Sequence, residues 1–172
     1  MSEVNTTHSE FVLPSSVVSK VDLARLLNEL EWVDNELTAA TIRAKSGVQV
    51  HMPTLSQGLN DFLIQNKLGL TESRARSAII AQLRVLKNKA PVVHMTFAVS
   101  ADRESLQKLA EWLRKEVHPQ ALIMVGLQPS LVAGVYLRTP NHVHDYSLRA
   151  LLHGQHDLLT KELETLRAGA KI

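Results

Sequence analysis

Regularly spaced apolar residues predict that the chain begins with a bundle of helices. Leu23, Leu30, Leu37 and Ala44 recur every seven residues, and Leu26, Val33 and Ala40 form a second series with the same interval. This spacing places both series on one face of an amphipathic helix. The pattern favours a helix packed inside a bundle, and a coiled-coil contact with another subunit is the alternative.

Two further helices are predicted before residue 90. Leu59 and Phe62 have helical spacing, and Gly69 is expected to end that helix in a left-handed conformation. Thr71 is expected to cap the next helix, because its hydroxyl can accept a hydrogen bond from an unpaired backbone N–H. The apolar residues of this third helix are Ala75, Ile79, Leu83 and Leu86.

The opposite face of the third helix is basic. Its cationic side chains are Arg74, Arg76, Arg84 and Lys87. A basic helix face of this kind is usually solvated. Contact with an acidic protein surface, or with nucleic acid, is the alternative interpretation.

The pattern changes from helical to mixed after Pro91. The β-branched run 92–99 predicts a buried strand. The expected order after it is a helix from Ser100 to Val117, strands over 121–125 and 131–138, a short strand from Val143, and a long helix over 148–166. Together with the first half, this order predicts an α+β fold: an N-terminal helical bundle, then a small C-terminal α/β domain with a mixed sheet and a long terminal helix.

These elements divide the chain into three predicted regions. Residues 1–14 are polar, are interrupted by Pro14, and indicate a flexible arm. Residues 15–89 form the predicted helical domain, and residues 91–168 form the predicted α/β domain.

Composition excludes several classes of protein. Apolar residues make up 45% of the 172 residues and charged residues 21%, as in ordinary globular proteins. The net charge of +2 is too small to indicate nucleic-acid binding, and the absence of cysteine excludes disulfides and cysteine-based zinc sites. No apolar run approaches the roughly 18 residues that span a bilayer.

Candidate chemistry is sparse. Four histidines, at 142, 144, 153 and 156, offer a possible metal site, but none belongs to a metalloprotease motif. Asp145 and Ser147 lie too close in sequence to form a catalytic triad with His144, and a role at the start of a helix suits them better. No glycine-rich phosphate loop is present. We therefore expect no catalytic residue, cofactor or metal.

The segment from Gln128 to Leu152 combines a proline turn, a strand, a hairpin and a capped helix. It resembles the C-terminal signature of the delta subunit of bacterial F-type ATP synthases, the family of the mitochondrial oligomycin-sensitivity-conferring protein. The chain would be a divergent member of that family. The matching residues are Pro129, Leu131, Val132, Gly134, Arg138, Asp145, Ser147 and Leu151. The resemblance covers about residues 90–166.

This resemblance implies a connector without catalytic activity in the peripheral stalk, or stator, of the ATP synthase. Its helical half would bind the N-terminal segments of the alpha subunits, and its α/β domain would bind the C-terminal end of the b subunit. The protein would act in ATP synthesis and hydrogen ion transport at the cytoplasmic face of the cell membrane, held there only through partners and without direct contact to nucleic acid. The candidate interface residues are Pro129, Leu131, Val132, Gly134, Arg138, Asp145, Ser147, Leu152, Leu159 and Leu163. The alternative is a stand-alone adaptor or nucleic-acid-binding regulatory module.

Overall fold

The structure, a computed structural model, describes residues 11–43, 51–139 and 141–169. It has the predicted α+β fold, and in these residues it contains six α-helices and a four-stranded mixed sheet. Backbone contacts divide it into two units. The helical unit comprises Met1–Pro91 and Arg103–Ile123, and the sheet unit comprises Val92–Asp102 and Met124–Ile172.

The helical unit contains α1 (Lys20–Arg43), α2 (Gln57–Gln65), α3 (Ser73–Lys89) and α4 (Arg103–Glu116). The leucines and the valine of the two heptad series are buried in α1, together with Leu27. Ala40 is half-buried, and Ala44 lies outside the described residues. This face packs against α3 and α2. The interpretation of α1 as a bundle helix is therefore confirmed, because its apolar stripe is covered within its own unit.

The predicted ends of α2 and α3 are wrong in detail. The left-handed residue after α2 is Lys67, at a φ of 53°, whereas Gly69 does not have a positive φ. The N–H groups of Lys67 and Leu68 donate to the carbonyls of Ile64 and Leu63, at 3.1 and 2.9 Å. Gly69 suggested a helix end by its residue type, but the hydrogen-bonding pattern closes two residues earlier.

The predicted cap of α3 is also wrong. The residue that precedes α3 is Glu72, and its side chain makes no capping hydrogen bond. Thr71 lies one residue too early for this role, and its carbonyl accepts a hydrogen bond from Arg76 instead, at 3.2 Å.

Replacing Lys67 with glycine is expected to stabilise the helical unit by about 0.5–1 kcal/mol. A left-handed conformation costs a residue with a Cβ roughly 1–2 kcal/mol, and the greater freedom of glycine in the unfolded chain offsets part of the gain. Urea denaturation followed by circular dichroism would measure the change. Gly69→Ala is the matched control, since a Cβ there meets nothing within 4 Å. A loss of stability in the glycine variant would contradict this account of the helix end.

The predicted flexible arm is wrong for its last residues. Phe11, Leu13 and Pro14 are buried. The ring of Phe11 meets that of Phe62 edge-on, with centroids 5.3 Å apart. The first part of the predicted arm, residues 1–10, lies outside the described residues.

Residues 103–123 belong to the helical unit, whereas chain order placed them in the predicted α/β domain. The contacts of Arg114 on α4 account for this difference. Its guanidinium donates to the carbonyls of Leu13, Pro14 and Val17, and to that of Ala121. Burial lowers the pKa of Arg114, and Glu111 opposes that shift. Hydrogen bonds that join residues about a hundred positions apart in the chain cannot be predicted from local sequence patterns.

The sheet comprises β1 (Val92–Phe97), β2 (Leu122–Leu127), β3 (Gly134–Arg138) and β4 (Val143–Ser147), in the order β2-β1-β3-β4. β3 is antiparallel to both β1 and β4. The first strand is half-buried rather than fully buried as predicted, since His94 is exposed between Val93 and Met95. Pro140, in the predicted hairpin turn, lies outside the described residues.

The predicted terminal helix is present as two consecutive helices, α5 (Leu148–Gly154) and α6 (His156–Gly169). Gln155 separates them, and its N–H donates to the carbonyl of Leu152 at 3.2 Å. Glycine is a poor helix former, which is consistent with a break directly after Gly154.

Candidate functional site

The first part of the predicted interface is a tight turn before β3. Pro129 opens a 3-10 turn that ends at Leu131, and the Leu131 side chain is buried beneath it. The proline suits this first position, because it has a fixed φ and no N–H that must be paired. Pro129 itself is exposed. The turn thus holds the next residue, Val132, in a defined place.

Val132 has a rare backbone conformation. Its φ is +65° and its ψ −54°, and the N–H of Ala133 donates across it to the carbonyl of Leu131 at 2.8 Å. These features define a γ-turn of the positive-φ type, which is rare and strained, above all for a β-branched residue. The Val132 side chain is 69% exposed, so its own burial does not offset this strain.

Gly134 allows the close approach of two segments of the sheet unit. Its φ is +90°, and a Cβ at this position would lie 2.2 Å from the carbonyl oxygen of Tyr146. Gly134 is the register partner of Ser147. A glycine within a strand allows another backbone or a bulky side chain to approach closely, and here the backbone of β4 does so.

Asp145 and Ser147 begin α5. The carboxylate of Asp145 accepts from the N–H of Ser147 at 2.9 Å, and the Ser147 hydroxyl accepts from the N–H of Ala150 at 3.2 Å. Ser147 is buried, and the N–H of Leu148 donates to the carbonyl of Ala133 at 2.9 Å. The start of α5 is therefore fastened to the turn that holds Val132.

The Asp145 carboxyl is expected to titrate below the ordinary aspartate value of about 3.9. The hydrogen bonds with Ser147 lower its pKa most, and the charge of Arg149 lowers it further. A depressed pKa means that this hydrogen bonding stabilises the fold above the unfolded-state pKa and is lost as the pH falls through the folded-state value. Carboxyl-detected NMR should record the low midpoint. An Asp145 midpoint at or above the ordinary value would contradict this geometry.

The second part of the predicted interface is a row of exposed leucines. Every side chain described in α6 is exposed, and in α5 only Ala150 is half-buried. Leu163 is 65% exposed. The other exposed leucines of α5 and α6 are Leu148, Leu151, Leu152, Leu158, Leu159 and Leu166. A row of exposed leucines of this kind is a candidate surface for binding another molecule.

A hollow of about 390 Å³ lies in this surface. It is lined by Val132, Leu148, Arg149, Leu152, His153, His156 and Leu159. The apolar residues described in its lining come from the γ-turn, α5 and α6, and the polar side chains described there are one arginine and two histidines. An apolar floor with a few polar groups is typical of a binding site.

Aromatic rings form a ladder on β4. His142 and His144 stack with centroids 6.2 Å apart, and His144 and Tyr146 stack at 5.8 Å. His142 and His144 therefore lie on one face of the sheet. His153 and His156 lie on either side of the break at Gln155, in α5 and α6. In the described part of the chain, no three histidine or acidic side chains group in a way that could hold a metal ion.

The basic face predicted on α3 is partly neutralised. Arg76 is buried and donates to the Asp34 carboxylate at 2.6 Å, and also to the carbonyl of Leu70 at 2.8 Å. Arg84 pairs with Glu31 on α1 at 2.7 Å. The face therefore does not present a continuous row of unpaired cations, which weakens the nucleic-acid alternative.

The helical unit has an apolar groove of about 370 Å³ beside the C-terminal end of α3. Phe11, Val85, Leu86, Ala90 and Pro91 contribute its apolar lining, and Lys89 and His118 lie among the polar groups. Val85 is exposed there. An apolar groove of this kind can receive a short amphipathic helix.

The predicted interface residues have three different roles in the structure. Those that line the hollow are Val132, Leu152 and Leu159, and Leu163 lies further along α6. Those that build the supporting turn and cap are Leu131, Gly134, Asp145 and Ser147. Pro129 and Arg138 are exposed and do not line the hollow.

Sequence reasoning missed Arg149 as a member of this site. Arg149, His153 and His156 recur at intervals of four and three residues, next to the leucines. This helical spacing was the available signal. The break after Gly154 was not predicted, and it is part of the geometry that brings Leu159 and Leu152 to the same hollow.

Comparisons with known proteins do not assign the chain to a family. No protein-family model matches it, and no curated protein gives a significant match. Within the residues that the structure describes, none of the helices has both the length and the apolar character needed to cross a lipid bilayer.

Proposed function

We propose that this protein is a connector without catalytic activity that joins two other proteins, and that it serves in the peripheral stalk of an F-type ATP synthase. The exposed leucine surface of α5 and α6 carries the proposal. Seven of its leucines are 40–69% exposed, and they lie within residues 90–166, over which the chain resembles the delta subunit.

The structural roles of the signature residues support the proposal. Gly134 allows β3 to approach β4 closely, and the hydrogen bonds of Asp145 and Ser147 fix the residue at which α5 begins. If these residues served the fold alone, they would have no effect on an exposed surface. Here the turn and the helix start also position Val132 and the leucines at an exposed hollow, as a docking module requires.

The proposed partners differ between the two units. The surface of α5 and α6 is the proposed site for the C-terminal end of the b subunit. The groove beside α3 is the proposed site for the N-terminal segments of the alpha subunits. The connector needs no reacting group, because its task is to keep the catalytic head from turning with the rotor. Interfaces of standard size, about 1,600 Å², would supply the grip.

A stand-alone adaptor is the second candidate, because the same surface would suit any amphipathic helix. Nucleic-acid binding by the basic face of α3 has less support, since Arg76 and Arg84 pair with carboxylates of α1.

Reconstitution tests the proposal. The full chain is mixed with the isolated catalytic head and the soluble part of the b subunit encoded in the same genome, and the mixture is separated by size. We expect one complex that contains all three, and no complex of head and b when this chain is omitted. Failure of the chain to bind either component would overturn the ATP synthase assignment and leave the adaptor as the better candidate.

A further inference from the structure

The hollow in the sheet unit has a chemical character that selects its occupant. Leu148, Leu152 and Leu159 provide an apolar floor, and Val132 stands at its side. These side chains are 40–69% exposed, so a bulky apolar group entering the hollow would remove them from water. Burial of apolar area is the main favourable term in protein association.

Among the lining residues that the structure describes, the polar side chains are those of Arg149, His153 and His156. Arg149 carries a permanent positive charge, a neutral imidazole can donate one hydrogen bond, and none of these described residues is acidic. The charge of Arg149 lowers the pKa of Asp145 less than the hydrogen bonds with Ser147 do. The hollow therefore complements carboxylates on an incoming segment.

Strain at Val132 provides a second, independent observation. A positive-φ γ-turn is unfavourable for valine, and glycine would adopt it with less strain. The free-energy cost of this backbone conformation is not offset by burial, because the Val132 side chain is exposed. Strained residues of this kind are concentrated at binding and functional sites, where the surrounding structure holds them in place.

We infer that the hollow receives one bulky apolar side chain from an acidic amphipathic helix of the partner, with carboxylates of that helix placed against Arg149 and His153, and with Val132 as the rigid anchor at its edge. This inference rests on the proposed function, and it specifies the chemistry of the segment that the sheet unit binds. It predicts a helix with an apolar stripe flanked by aspartate or glutamate.

The experiment uses the full chain and two kinds of probe. One probe is the soluble part of the b subunit from the same genome. The other is a pair of synthetic helical peptides with the same leucine stripe, flanked by glutamates in one and by lysines in the other. Affinities are measured by calorimetry for the wild type and for Arg149→Glu, Leu159→Asp and Val132→Gly. Lys115→Glu, an exposed charge reversal in the helical unit, is the control.

We expect the wild type to bind the b fragment, and to bind the glutamate peptide at least about tenfold more tightly than the lysine peptide. Arg149→Glu and Leu159→Asp should each weaken both complexes by about tenfold or more, whereas Lys115→Glu should stay within about twofold. Val132→Gly should raise the melting temperature yet weaken binding by about tenfold, the amount that burial of one valine side chain supplies. If Val132 had only a structural role, its replacement by glycine would not raise the melting temperature and weaken binding at the same time.

The other outcomes are distinguishable. If the b fragment binds and all variants bind it as tightly as the wild type, the inference is overturned while the proposed function stands. If neither the b fragment nor the glutamate peptide binds, both are overturned. If the wild type sediments as a dimer that Leu159→Asp dissociates, the occupant is a second copy of this chain and the inference is wrong.

Discussion

Replacing Gly134 with alanine is expected to destabilise the sheet unit by about 3 kcal/mol or more. The added methyl group would lie 2.2 Å from the carbonyl oxygen of Tyr146 and 2.9 Å from the Cα of Ser147. Both obstacles are backbone atoms, which cannot rotate away as a side chain would. The φ of +90° adds strain whatever the space available. Pairing of β3 with β4 and the start of α5 should be lost together.

Native-state hydrogen exchange is the suitable measurement, because the two units need not unfold in one step. Amides of β3 and β4 should exchange faster in the variant. Gly154→Ala is the matched control, since its Cβ meets nothing within 4 Å and alanine favours helix by about 1 kcal/mol over glycine. Equal protection of these strands in Gly134→Ala and the wild type would show that the turn geometry is described incorrectly.

Replacing Arg76 with alanine is expected to destabilise the helical unit by about 3 kcal/mol. The guanidinium is only 4% exposed and joins the Asp34 carboxylate to the carbonyls of Leu70 and Thr71. Its removal would leave a partly buried carboxylate and a buried carbonyl without this donor. The cost of unpaired buried groups exceeds the value of an ordinary ion pair.

Arg84→Ala supplies a sharp control for this prediction. Arg84 also pairs with a carboxylate of α1, but its side chain is 63% exposed. Exposed pairs contribute about 0–1 kcal/mol, so this variant should remain close to the wild type. Urea denaturation at neutral pH would compare the two. Similar midpoints for both variants would refute the assignment of Arg76 as a buried structural cation.

Local patterns were sufficient to predict most of the fold. The heptads of α1 led to its buried face, and the change to β-branched residues after Pro91 led to β1 and the strands after it. These signals are local, since a helix or strand face is defined by residues a few positions apart. The roles of Gly134 and Ser147 could be predicted from the sequence for the same reason.

Long-range contacts explain where the predictions were wrong. Arg76 was assigned to a solvated face because its partner, Asp34, lies 42 residues away along the chain. Residues 11–14 were assigned to a flexible arm, although Phe11 packs on Phe62. Neither pairing has a signature in the local sequence. The hollow was also predicted only in part. The leucine stripe predicted an apolar surface, but the break at Gln155 was not predicted.

Hydrogen–deuterium exchange of the full chain, with and without the soluble part of the b subunit, tests the central claim most directly. The claim is that the uncovered surface of α5 and α6 is a protein-docking surface. We expect the partner to slow amide exchange strongly across residues 148–167 and around Val132, and to leave α1 and α2 unchanged. Unchanged exchange in α5 and α6 while the partner is bound would contradict the claim, because docking would then occur elsewhere on the protein.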